Sequence, residues 1–313
     1  MPKPLDQLTA TELERKACIG KIMTYALKSL SSTFVNKGFQ WLLPVALSQS
    51  TDPLWPDPGA SIEKRIEVDI YGKPVRTTAS MIIHKLVAAS TAYPKLFILS
   101  PNIRIEKAER AKTGRHIYEF TQLDFEARGA TSKEIFALVE EVIETLVKDI
   151  KREMKDELTT LCRCDSLKAP KIPFKIYDRV DLEAKYGADW EAGLSQETTT
   201  PVWVTNIPRE FYDFEDFKTG KWDNYDLFLP QFGEVLSGAK REYEYVKILK
   251  KIERDQVKKE NYALVLKMAK EGRLKATAGG GIGMERLVGW LAGVKHVGEC
   301  QPFPRVPGTV NEL

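Results

Sequence analysis

The chain has 313 residues, 43% of them hydrophobic, with 47 basic against 44 acidic side chains and a net charge of +3. That length is ample for a buried core, the near balance of charge gives no reason to expect nucleic-acid binding without a localised patch, and no apolar run is long enough to span a bilayer. Four scattered cysteines and the absence of a signal-peptide pattern suit a reducing cytoplasm.

Thr9 and Glu12 have the spacing of a capping box. Ile19, Ile22, Met23, Ala26, Leu27, Leu30 and Phe34 then recur at helical period. Gly38, tolerant of positive φ, stops this helix, and 39–45 reads as a strand carrying Pro44. A proline-rich loop is expected over 51–59, and strands over 66–70 and 95–99. Thr131 and Glu134 open a second capped helix with Ile135, Leu138, Val139, Val142, Leu146 and Ile150 on one face. The stretch 158–222 has no strong period, apart from a buried strand at 202–205. Residues 241–272 read as one or two amphipathic helices whose charges form a solvated face. Strands separated mainly by turns predict an α+β fold, a largely antiparallel sheet flanked by helices. Cys162 and Cys164 are too close for zinc spacing and have no second pair.

Two distant segments make sense together. The first contains Arg104, Glu106, Arg115, His116, Phe120, Gln122 and Asp124; the second is the run Gly279 to Gly283 followed by Glu285 and Arg286. Each sets an arginine beside a carboxylate, and a guanidinium grips phosphate oxygens in a fork that a neighbouring acid can aim. The glycine run is not a dinucleotide fingerprint, because Met284 stands where the third glycine belongs and no βαβ unit surrounds it. It still lets a ligand approach the backbone just before a helix.

The first segment resembles motif 2 of the class II aminoacyl-tRNA synthetases, and the second resembles motif 3. Helix, turn and strand up to Pro44 resemble motif 1, which builds the dimer interface in that family. The nearest resemblance is to the aspartyl and asparaginyl enzymes. It implies ATP and Mg²⁺ as ligands, with Arg104 on the α-phosphate and the activated carboxylate, Phe120 beneath adenine and Arg286 over its opposite face. Arg115 or His116 would hold the triphosphate tail, alongside Glu106 and Gly283. Asp226 and Glu234, spaced by Pro230 and Gly233, resemble the asparaginyl metal pair. His84 and His296 are structural by default.

For the amino acid, Ser80 to Lys85 occupies the loop that carries a carboxylate-gripping lysine in aspartyl enzymes, where asparaginyl enzymes have leucine. Ser237, Arg241 and Glu242 follow Glu234 as the substrate-binding arginine segment does. Lys85 and Arg241 would clamp a carboxylate, with Gln122 and Asp124 nearby and Asp124 facing the ammonium group. Ile82 replaces a glutamine that orients the substrate in the family, so the clamp is able to hold either carboxylate of aspartate. Residues 201–214 would form a pocket wall.

The long helix starts almost at once, which leaves no room in 1–313 for the N-terminal β-barrel that reads the anticodon. The expectation is one synthetase-like catalytic domain over 1–313, homodimeric, for which tRNA binding is doubtful. The resemblance then implies an asparagine synthetase that uses aspartate, ATP and ammonia through a β-aspartyl-adenylate, with Glu119, Glu242 or another acid deprotonating ammonium. A ligase loading aspartate onto a tRNA or protein, or a non-catalytic regulatory paralogue, are the alternatives.

Overall fold

A computed structural model describes residues 1–54 and 62–312. Its frame is an eight-stranded sheet. In chain order the strands are β1 (Gln40–Leu42), β2 (Lys95–Ile103), β3 (Glu119–Arg128), β4 (Lys175–Asp178), β5 (Val202–Thr205), β6 (Asn224–Leu229), β7 (Gly233–Lys240) and β8 (Thr277–Gly283). In space they run β1-β2-β3-β8-β7-β6-β5-β4. Only the outer pairs, β1 with β2 and β4 with β5, are parallel; the six central strands are antiparallel, as predicted.

The first helix, α1 (Ala10–Asn36), has the predicted capping box and ends before Gly38 at φ 83°. Its buried stripe runs from Cys18 through Ile22, Ala26 and Leu30 to Phe34. Phe34 lies 5.0, 5.5 and 5.1 Å from the rings of Phe39, Phe97 and Phe125, so one side chain locks helix to sheet through edge-on and tilted aromatic contacts. The expected strand 39–45 pairs only over Gln40–Leu42. Of the predicted loop 51–59, residues 51–54 have no regular structure, and 55–59 lie outside the described residues.

Helix α2 (Ile82–Ser90) corrects one expectation: Lys85 sits in the first turn of a helix rather than in a loop. Helix α3 (Ser132–Glu153) carries the second predicted capping box and packs its apolar stripe on the same face of the sheet as α1. The region 158–222, unreadable from period, holds two short helices, α4 (Arg179–Tyr186) and α5 (Trp190–Glu197), as well as β4 and β5. The charged segment 241–272 forms α6 (Tyr245–Arg254) and α7 (Ala263–Lys270). Its charges are not all solvated. Lys251 is fully buried and donates from Nζ to the Asp213 carbonyl oxygen at 2.5 Å, with the Glu242 carboxylate 3.6 Å away. Helices α2, α6 and α7 share a second apolar cluster with Phe211 and Tyr212. The last helix of the sheet-covering layer is α8 (Met284–Ala292), which begins directly after β8.

The glycine run is therefore a strand, not a turn. A Cβ at Gly279 would meet the Phe125 carbonyl oxygen at 2.2 Å and Glu126 Oε2 at 2.5 Å. Bare backbone there makes room for a carboxylate on the neighbouring strand, a packing demand that only glycine meets.

Candidate active site

Strand alternation builds the site. On β3, Leu123, Phe125 and Ala127 enter the core, so Phe120, Gln122, Asp124 and Glu126 share the opposite face. Register then carries a polar row across the sheet: Asp124 lies opposite Gly281, Gly281 opposite Ser237, and Ser237 opposite Asp226.

Two adjoining cavities open over this face. One, of about 550 Å³, is lined by Arg104, Glu106, Arg115, His116, Phe120, Gly283 and Arg286. The other, of about 640 Å³, is lined by Ser80, Lys85, Asp124, Ser237 and Arg241. Arg104, Gln122 and Glu234 line both. The structure thus brings the two expected half-sites together and puts Arg104 at their junction.

In the first cavity the Arg104 guanidinium lies 5.2 Å from the Phe120 ring centre, and its Nε donates to the Ala79 carbonyl at 3.0 Å. Arg286 donates to Glu234 Oε2 at 3.0 Å and to the Arg115 carbonyl at 3.3 Å. His116 contributes no charge: burial and then the neighbouring arginines hold its pKa down to about 2. Its Nε2 accepts from Arg110 at 2.7 Å, and the hydrogen-bond pattern assigns the ring proton to Nδ1, facing Thr113 Oγ1 at 2.5 Å. Of the two, Arg115 is the charged side chain in the cavity lining and His116 a neutral part of its wall.

Glu285, in the first turn of α8, accepts the Thr121 N–H with both oxygens at 3.1 and 3.0 Å. Burial pushes its carboxyl up to about 7 from 4.5. A raised acid is protonated more readily in the fold than in the unfolded chain. Its contribution to stability is full below about pH 4.5 and is lost as pH rises to about 7, a swing of about 3 kcal/mol. Glu285→Gln keeps an acceptor oxygen but cannot ionise. Its melting temperature should exceed that of wild type by several degrees at pH 8 and by much less at pH 5; a difference independent of pH in calorimetry would refute the assignment.

The second cavity is a network of buried ions. Lys85 Nζ donates to Asp124 Oδ1 and to the Gly280 carbonyl, both at 2.9 Å, and lies 3.8 Å from Glu126. Arg241 donates to Glu126 at 3.3 Å, to Asp213 at 2.5 Å and to the Gly279 carbonyl at 3.3 Å. Asp124 also accepts from Ser100 Oγ at 2.7 Å. Each cation keeps N–H groups beyond those bonds, since ammonium has three and guanidinium five. The lining carries four cationic and five acidic side chains, which suits a ligand bearing both signs of charge.

Asp226 and Glu234 stand one strand apart. Burial and the charge of Glu234 raise Asp226 to about 7 against the pull of Arg209. Burial would also raise Glu234, but Arg286, Arg209 and Arg115 hold it below its ordinary value. Arg209 donates to Asp226 Oδ2 at 2.5 Å, whereas buried Oδ1 has no hydrogen-bond partner among the described residues. An orphaned buried carboxylate oxygen fits a cation position. Among the described residues no three His, Cys, Asp or Glu side chains converge on a metal. Two carboxylates are what a magnesium held mainly by phosphates and water requires.

Two expected acids are elsewhere. Glu242 lines neither cavity; its Oε1 accepts from the backbone N–H of Tyr243 and Glu244 at 3.1 and 3.2 Å, which holds the entry to α6. Glu119 lines a separate groove beside Gln301 and Phe303. His84 bonds Ser48, and His296 accepts the Gly298 N–H, both structural contacts. All four cysteines are free. Sequence reasoning overlooked Asp52, Glu126, Arg209, Glu210, Tyr212 and Asp213. The alternation on β3 was a signal for Glu126, and the expected wall at 201–214 does supply Arg209, Glu210, Tyr212 and Asp213.

Comparison with known proteins agrees with this architecture. The chain is 26% identical to the asparagine–tRNA ligase of Thermoplasma acidophilum, over 91% of its own length and 68% of that protein's. It is 29% identical to that of Thermococcus kodakarensis, over 90% and 69%. The asparaginyl-tRNA synthetase of Pyrococcus horikoshii complexed with asparaginyl-adenylate shares the fold, with a TM-score of 0.84 at 24% identity over 99% of this chain and 75% of that one. Among the described residues no helix is long and apolar enough to cross a membrane. Residues 61–307 match the family model for tRNA synthetases class II (D, K and N), and the chain belongs to that family.

Proposed function

We propose that the protein is an AMP-forming ligase that activates aspartate with ATP and transfers the acyl group to ammonia, giving asparagine. The observation that carries this reading is the pair of buried cations, Lys85 and Arg241, in a cavity that shares Arg104 with the arginine-lined one. Asparagine would offer these cations and Arg104 a single carboxylate, whereas aspartate offers two, one for the Lys85–Arg241 pair and one for Arg104.

Phe120 and Arg286 flank adenine, and Arg115 steadies the phosphate tail. Arg104 holds the α-phosphate and the incoming carboxylate in line, so that the carboxylate oxygen attacks phosphorus as pyrophosphate departs. Lys85 and Arg241 grip the other carboxylate with their unspent N–H groups, and Asp124 with Gln122 borders the ammonium group. Asp226 and Glu234 would hold Mg²⁺, which supplies charge neutralisation on the phosphates. Catalysis rests on alignment and charge stabilisation without a protein nucleophile.

The names of the relatives favour a second reading, in which the same adenylate is passed to a tRNA. One incubation separates the two. Purified protein with aspartate, ATP, Mg²⁺ and ammonium should yield asparagine and AMP. Adenylate without ammonia-dependent asparagine would reject the first reading, and aspartate transferred to RNA in a parallel reaction would establish the second.

A further inference from the structure

The acids Glu119 and Glu242 are both outside the cavity, so an ammonia-using enzyme needs another group to receive ammonium. One acid in the cavity has no other task. Glu210 is 7% exposed. It faces the amino-acid cavity and is bonded to no other described side chain. Its neighbours are all committed. Asp213 holds Arg241, Arg209 holds Asp226, and Asp52 accepts from the Tyr212 hydroxyl at 3.0 Å and the Leu54 N–H at 2.9 Å. A backbone bond from the Asp213 N–H to the Glu210 carbonyl at 3.0 Å closes the turn that presents the side chain.

We propose that Glu210, which lines the amino-acid cavity beside Asp52 and Asp213, is the ammonium-binding residue and the base of the amide-forming step; this rests on the ligase reading above. A largely buried carboxylate with no side-chain hydrogen-bond donor among the described residues is incompletely compensated, and a small cation with four N–H donors relieves that. Ammonium is such an ion.

The step balances. Ammonium gives one proton to the Glu210 carboxylate and becomes ammonia. Its lone pair forms the C–N bond at the acyl carbon of the aspartyl adenylate. The C–O bond to phosphate breaks, AMP leaves with that electron pair, and the second nitrogen proton passes to water. Burial, followed by the charges of Asp52 and Asp213, raises the Glu210 carboxyl against the opposing pull of Arg209, making it a stronger proton acceptor than a solvated acid.

The test uses the full chain and two nucleophiles. In Glu210→Gln, kcat/KM for ammonium should fall about a hundredfold, while aspartate-dependent exchange of pyrophosphate into ATP falls by less than about threefold. Hydroxylamine, uncharged at neutral pH, needs neither cation attraction nor a base, so aspartyl hydroxamate formation should stay within severalfold of wild type. Glu210→Asp should recover part of the ammonium step. Exchange and ammonium use falling together, or hydroxylamine and ammonium falling equally, would overturn the assignment. Wild-type protein that exchanges pyrophosphate but makes no asparagine would instead overturn the ligase reading itself.

Discussion

Arg104→Lys should lower aspartate-dependent pyrophosphate exchange about a thousandfold, as expected when a fixed charge on a phosphoryl transition state is lost. The guanidinium is held by one Nε bond to Ala79, which leaves both terminal nitrogens for ligands. It borders both cavities, the position from which one planar fork reaches an α-phosphate and a carboxylate together. Lysine keeps the charge but is a point donor without the fork. The melting temperature should stay within a few degrees of wild type, because lysine keeps the charge beside Glu106 and Arg104 makes no close ion pair among the described residues. An exchange rate within tenfold of wild type would show that another cation aligns the two reactants.

Lys85→Leu should act on both stability and specificity. Lys85 and Asp124 are each 2% exposed, and removing one partner leaves a buried carboxylate uncompensated, at a cost of about 3–5 kcal/mol. Thermal unfolding should show that loss. Adding Asp124→Asn removes the stranded charge and should restore most of the melting temperature. Aspartate use should not return in the double variant, because the cation itself is missing. The single variant should raise the aspartate KM about a hundredfold with a much smaller effect on ATP. Equal losses for both substrates would mean that Lys85 only supports the fold of the cavity.

Much of this site was readable from local pattern. The helical stripe of α1 and both capping boxes are properties of neighbouring residues, so period and spacing suffice to find them; the alternation of β3 is equally local but went unread. The paired arginine–carboxylate segments likewise pointed to a nucleotide position before any fold was known. The region 158–222 was opaque because α4 and α5 span only eight residues each, about two turns, too few for a helical period to stand out. Lys251 misled for a different reason. An amphipathic pattern marks which helix face is apolar, but not that a second layer covers the charged one.

Residue order alone was enough for the largely antiparallel class of fold and for nominating Arg104, Lys85, Arg241 and Arg286; that the glycine run is a strand came only from the structure. Folding decided what those charges meet. Lys85 on α2 and Asp124 on β3 are 39 residues apart, and Arg241 and Glu126 are separated by 115. Such pairs depend on sheet register and on the packing of α2 against α6 and α7, where burial makes every unpaired charge expensive. That same cost singles out Glu210, whose lack of a side-chain hydrogen bond in the cavity no local sequence pattern records.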